Sequence, residues 1–171
     1  MARITHKGNP IHTSGNLPSV GSRLKDFRLV KQDLSEATLE AFAGKKKILN
    51  IFASLDTSVC ATSVKKFADK VARHPNAVVL NISQDLPFAA KRFCSVEGIE
   101  NAVTLSTFRS SFPDDYGLRI TEGALAGLCS RCVIVADENS KVLHAEQVPE
   151  IAQEPDYERA LAALGQPTAA R

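Results

Sequence analysis

Tryptophan is absent from this 171-residue chain, and aromatic residues make up only 6% of it. Single-stranded nucleic acids are held largely by stacking on aromatic rings, so that class of function lacks its main tool here. An excess of charge of one sign is lacking too: 21 Lys and Arg face 19 Asp and Glu, a formal net charge of +2. The densest basic block is Lys45-Lys46-Lys47. Its place between Gly44 and an apolar segment reads as a solvated turn, not a phosphate-binding patch. No run of about 18 apolar residues is present to span a bilayer. The opening MARITHKGNPIHTSG has no apolar stretch of a secretory leader. The expectation is a cytoplasmic protein with no nucleic-acid or membrane partner.

Cysteine is scarce, and the four present are Cys60, Cys94, Cys129 and Cys132. In a reducing compartment they are not a static disulfide framework, which leaves inert thiols, a metal site or redox chemistry. Metal is the weakest of these. The spacing gives one short Cys pair where a zinc ribbon needs two, and His6, His12, His74 and His144 do not cluster with the cysteines.

The length predicts one domain over residues 1–171, with a disordered tail over about 166–171. RITHKGNPIHTS reads as a hairpin turning at Gly8-Asn9. FRLV begins a short strand, and SEATLEAFAG reads as a short helix ending at Gly44. KKILNIFAS and AVVLNIS have the continuous apolar character of buried strands. Between them, Val64, Phe67, Ala68 and Val71 mark one face of a helix that stops at Pro75. DLPFAAKRFCSVEGI predicts a helix from near Pro87 that loses order from Cys94 to Gly98. AVTLSTF is a third strand, residues 109–128 are loop-rich, and RCVIVADENSKVLHAEQV reads as strand, turn, strand. EPDYERALAALG closes the chain as an amphipathic helix with Pro155 in its first turn. Strands alternating with helices predict an α/β fold with parallel pairing through the crossovers.

Ligand sites in such sheets lie at the carboxyl ends of strands, and SLDTSVC follows the strand ILNIFA directly. Cys60 would then open a helix. Unpaired N–H groups and a partial positive charge at that place favour an ionised sulfur, and cysteine pKa values at such sites fall to roughly 3.5–7.5. Thr57, three residues earlier, is close enough to donate a hydroxyl hydrogen bond to the sulfur or to a bound oxygen. Most cysteines before helices are small buried hydrophobes. The combination of strand end, hydroxyl-rich turn and helix start raises Cys60 above that background.

The segment LNIFASLDTSVCATSVKKF resembles the active-site segment of the peroxiredoxins, and the whole chain resembles their atypical two-cysteine thiol peroxidase branch. The shared words are GNP, DLS…TL…FAGKKKILNIF, DTSVC, ISQDLPFAAKRFC, TLSTFR, DYG and EPDYERAL, in that order. The resemblance implies a thioredoxin-like fold, with a central mixed sheet flanked by helices and an added N-terminal β-hairpin. It implies Cys60 as the peroxidatic nucleophile and Cys94 as the resolving cysteine, with Thr57 and Arg131 binding the peroxide oxygens. It further implies an intrachain Cys60–Cys94 disulfide reopened by thioredoxin, a homodimer, and no metal, haem or flavin cofactor. The family proline four residues before its Thr/Ser is Ala53 here, a smaller and less rigid wall for the pocket.

CSRC has the spacing of a thioredoxin redox motif, but it runs into the strand pattern VIVAD. Residues three apart in a strand point to opposite faces, about 10 Å apart, which disfavours a Cys129–Cys132 disulfide. The same parity would turn Cys129 toward the pocket with Arg131, and Cys132 into the core. Asp56 is a candidate helix cap. Arg109 is a candidate pocket or interface residue, and Phe112 and Tyr116 would either line an interface or pack inside. The alternative to a peroxidase is a redox-sensing or thiol–disulfide exchange protein on the same fold; a third reading is a non-catalytic binding domain.

Overall fold

The computed structural model describes residues 1–99 and 102–165. Strands β1 (Arg3–His6) and β2 (Asn9–His12) form an antiparallel hairpin with Ile4 opposite Ile11. Its last pair is His6 with Asn9, so the two turn residues are Lys7 and Gly8, both at positive φ (51° and 81°). That conformation suits a two-residue hairpin loop and moves the turn one residue earlier than the sequence suggested.

The remaining strands build one seven-stranded sheet. They are β3 (Leu29–Val30), β4 (Glu36–Ala37), β5 (Lys46–Ile51), β6 (Ala77–Ser83), β7 (Val103–Ser106), β8 (Cys132–Ala136) and β9 (Val142–Gln147), in the order β4-β3-β7-β6-β5-β8-β9. The β5–β6 and β6–β7 pairs are parallel and the others antiparallel. The two parallel pairs arise from the crossovers through α1 (Ser58–Val71) and α2 (Pro87–Glu97). A short α3 (Phe112–Asp115) and the closing α4 (Tyr157–Leu164) complete the order.

Strand alternation sorts side chains onto two faces. Leu49, Ile51, Leu80, Ile82, Cys132 and Ile134 join the larger core. Ile48, Val133 and Val135 face the other way, onto Phe67 of α1 and Tyr157, Ala160 and Leu164 of α4. Phe67 and Tyr157 meet edge to face, with centroids 4.9 Å apart. The mixed sheet, flanking helices and added hairpin agree with the sequence expectation.

Several local readings change. SEATLEAFAG is not a helix. Glu36–Ala37 pairs with β3 and only Leu39–Phe42 makes a 3₁₀ turn, because Ala37 is taken up opposite Leu29. Lys46 and Lys47 belong to β5, and Lys47 is fully buried with its ammonium on the carbonyls of Lys45 and Asp137, at 3.0 and 3.3 Å. Burial lowers its pKa. The buried stripe of α1 is Cys60, Ser63, Val64 and Phe67, while Ala68 is exposed. α2 stays helical through Glu97, since Gly98 at φ 65° closes it and Ile99 N–H reaches the Cys94 carbonyl at 3.0 Å. Pro155 lies just outside α4, whose cap is Asp156, accepting from Arg159 N–H at 3.1 Å. The tail reading falls outside the described residues. Among the described residues, no helix is long and apolar enough to cross a membrane.

Candidate active site

Strand β5 ends at Ile51, and a short turn carries the chain to Thr57, the N-cap of α1. The turn is tied down by Asp85 at the end of β6. One carboxylate oxygen accepts from Ser54 Oγ at 2.7 Å; the other accepts from Leu55 N–H and Ser83 Oγ, each at 2.7 Å. Ala53, in the family's proline position, is buried. Asp56 is exposed and caps nothing; Arg92 of α2 lies 3.6 Å from it.

Cys60 sits in the first turn of α1 with no exposed surface, among Phe52, Leu55, Val64 and Ala90. Arg131, immediately before β8, reaches it across the sheet end: Nη2 donates to the Cys60 sulfur at 3.0 Å. The two meet because β5 and β8 are antiparallel neighbours whose last rung is Ile51 opposite Cys132. Arg131 is itself buried. Its Nε donates to the Ile151 carbonyl at 2.7 Å, and its Nη1 has no hydrogen-bond partner. Among the described residues Arg131 makes no ion pair within hydrogen-bond reach, though its charge acts on the Glu154 carboxylate and helps to lower its pKa; the uncommitted Nη1 suits a polar guest at this place.

Thr57 is exposed and its hydroxyl donates to the Ser54 carbonyl at 2.9 Å, not to the sulfur. Beside it a cleft of about 360 Å³ opens between α1 and α2, with Leu55, Thr57, Ala61, Phe93 and Val96 among its walls. Cys94 lies on α2, buried but outside the Cys60 cluster, with Gln32 Nε2 donating to its sulfur at 3.5 Å. Burial raises the Cys94 pKa, and the Gln32 hydrogen bond opposes that rise. All four cysteines are free thiols.

Cys129 and Cys132 share the large core, a cluster that does not include Cys60. The parity reading holds for Cys132, which is in the core, but fails for Cys129, because β8 begins only at Cys132 and Cys129 lies outside the strand, bridged to Arg119 instead. Burial, with a smaller contribution from Cys132, pushes the Cys129 thiol up to about 12. Burial likewise holds Cys132 at about 12. Arg109 is exposed on Glu36, at 3.2 Å. Phe112 and Tyr116 stack in the core, with centroids 4.2 Å apart.

The redoxin family model matches residues 19–161. The chain is 52% identical over 164 residues to a thiol peroxidase of Corynebacterium glutamicum, covering 96% of this chain and 99% of that one. The chain belongs to the redoxin family, in its thiol peroxidase branch. Solved structures agree with this redoxin's fold. A peroxiredoxin-like protein from Aquifex aeolicus superposes with a TM-score of 0.89 at 36% identity, covering 95% of each chain. A thiol peroxidase from Chromobacterium violaceum gives 0.90 at 25% identity, covering 96% of each. Sequence reasoning missed three residues of this redoxin's site: Gln32, Asp85 and Ile151. Only Asp85 carried a local signal, an acidic residue just past a strand end in NISQDLP.

Proposed function

We propose that this redoxin reduces hydroperoxides through Cys60 and is recycled through Cys94. The observation that carries the reading is the Arg131 guanidinium, buried, 3.0 Å from the Cys60 sulfur and with Nη1 uncommitted. A guanidinium offers donors only, so it suits an anionic sulfur and a peroxide oxygen gaining charge.

The Cys60 thiolate attacks the terminal peroxide oxygen and the O–O bond breaks. The departing oxygen takes a proton and leaves as alcohol or water, and the sulfur becomes a sulfenic acid. Arg131 stabilises charge on the separating oxygens. Thr57 joins by turning its hydroxyl from the Ser54 carbonyl to the peroxide. Cys94 sulfur then displaces hydroxide from the sulfenic acid, giving the Cys60–Cys94 disulfide and, with one proton, water. A dithiol of the thioredoxin type returns both thiols and becomes a disulfide itself. The electron balance closes without metal, haem or flavin. Disulfide geometry needs Cα atoms within about 7 Å, so we place local unwinding of α1 and α2 on the path. A cytoplasmic homodimer is the proposed setting.

Peroxide-dependent oxidation of a thioredoxin system tests the reading in wild type, Cys60→Ser, Cys94→Ser and the Cys129→Ser/Cys132→Ser double variant. The expected pattern is loss with Cys60→Ser, failure to recycle with Cys94→Ser, and turnover in the double variant. Turnover that survives Cys60→Ser overturns it.

A further inference from the structure

The N-terminal hairpin makes no hydrogen bond to the Cys60 sulfur, yet two hydrogen bonds in series, through Ile151, join it to the group that does. Arg131 Nε is fixed on the carbonyl of Ile151. Ile151 N–H in turn donates to the Thr5 carbonyl at 3.0 Å, and Thr5 N–H donates to the Pro149 carbonyl at 2.7 Å. Strand β1 and residues 149–151 thus run as a short parallel ladder. The Glu150 side chain closes it. Its carboxylate accepts from the Thr5 hydroxyl and from the two turn amides, Lys7 N–H at 2.8 Å and Gly8 N–H at 3.4 Å.

The main chain of Arg131 is held separately. Its carbonyl accepts from Val148 N–H and Gln147 Nε2, each at 3.0 Å. Those bonds place the Arg131 backbone but do not by themselves orient its long side chain. Direction comes from the Ile151 carbonyl, which fixes Nε and thereby the plane of the guanidinium. A rigid planar fork transmits that orientation to Nη2 and Nη1. We propose that Thr5 and Glu150 are positioning residues for the active site: they clamp residues 149–151 to the hairpin, and the clamped Ile151 carbonyl aims Arg131 at Cys60. The inference deepens the peroxidase reading and rests on it for the peroxide arm of the test alone.

The hairpin has its own apolar seat, Ile4 and Ile11 against Ile120 and Ile151. Removing one polar group at the clamp therefore leaves the hairpin packed. The experiment compares Thr5→Val, which deletes the hydroxyl at constant shape, with Thr5→Ser, which keeps it, and adds Glu150→Ala. Three quantities are followed in the full chain: amide exchange at Ile151, the pH midpoint of Cys60 alkylation by iodoacetamide read on its peptide mass, and the rate constant with hydrogen peroxide. Thr5→Val and Glu150→Ala are expected to speed Ile151 exchange, raise the alkylation midpoint and slow the peroxide reaction about tenfold. That is the rate equivalent of part of one charge-assisted hydrogen bond. Thr5→Ser is expected to restore all three.

Unchanged Ile151 exchange overturns the clamp. Faster exchange with both Cys60 readouts at wild-type values overturns the positioning role. A wild type that consumes no peroxide sinks the peroxidase reading only, because the alkylation midpoint still decides whether the clamp acts on Cys60.

Discussion

Gln32 ties the Cys94 thiol to the sheet and not to the helix that carries Cys60. Its side-chain nitrogen donates to the Cys94 sulfur at 3.5 Å and to Thr104 Oγ1 of β7 at 2.7 Å. The second thiol is thus kept in place by a loop after β3 and by the neighbouring strand. Replacing Gln32 with Leu removes the one group that opposes the effect of burial on this thiol. The alkylation midpoint of Cys94 should move to higher pH, while that of Cys60 stays. Mass-resolved alkylation across pH 7–11, a span of roughly two units around the usual cysteine value, checks it. A midpoint that stays at the wild-type pH shows the contact to be unimportant for ionisation, and one that falls reverses its assigned sign.

Cys129 and Cys132 make the protein sensitive to alkali. Burial holds each thiol at about 12 when folded, against roughly 8.5 for a free cysteine. A raised folded pKa means that the unfolded chain releases protons first. The stability from keeping these thiols neutral is complete below the unfolded value and is lost as pH rises toward 12. Tm should therefore fall between about pH 9 and pH 11. The Cys129→Ala/Cys132→Ala variant should start lower, from its cavities, but decline less steeply. Parallel slopes in a thermal scan series would refute the assignment.

The turn before Cys60 depends on Asp85. Ala53 gives that turn none of the stiffness that a proline ring supplies, and the carboxylate supplies two hydrogen bonds to it instead, with a third anchoring the carboxylate on Ser83 of β6. Asp85→Ala strands Leu55 N–H and should cost about 1–3 kcal/mol. Urea titration gives the stability, and amide exchange should quicken at Leu55 ahead of the central strands. Asp85→Asn, which keeps one acceptor oxygen, should fall between the two.

The far face of the sheet depends on Phe67. It is fully buried and meets Tyr157 edge to face. Phe67→Ala should cost roughly 3–5 kcal/mol, read as a lower urea midpoint with an unchanged slope. Because Phe67 lies two turns beyond Cys60 on the same stripe of α1, this variant also reports how far a defect there reaches the thiol.

The sequence made some parts of this molecule readable and hid others for physical reasons. Strands β5, β6 and β8 show as apolar runs because the sheet is covered on both faces. The hairpin shows through its turn residues. Cys60 shows because strand end, hydroxyl-rich turn and helix start are all local. By contrast, β4 is two residues long and exists only because Leu29 lies opposite Ala37, which no local pattern encodes. Arg131 was reached by resemblance, since 71 positions separate it from Cys60. Gln32 is 62 positions from Cys94, and the acceptor at Ile151 is a main-chain oxygen that every residue carries. Contacts made by topology, or by groups common to all residues, leave no signature in composition or period.

The antiparallel β5–β8 pairing joins pieces of the site that leave the ribosome at different times. Cys60 and its helix are complete early in synthesis, but the guanidinium that touches the sulfur lies 71 residues further on, and its Ile151 support later still. Pairings so distant in sequence form late, because loop closure precedes the contacts that reward it. A nascent chain therefore carries the thiol without its cation, and the sulfur acquires its partner only when the last central strand docks.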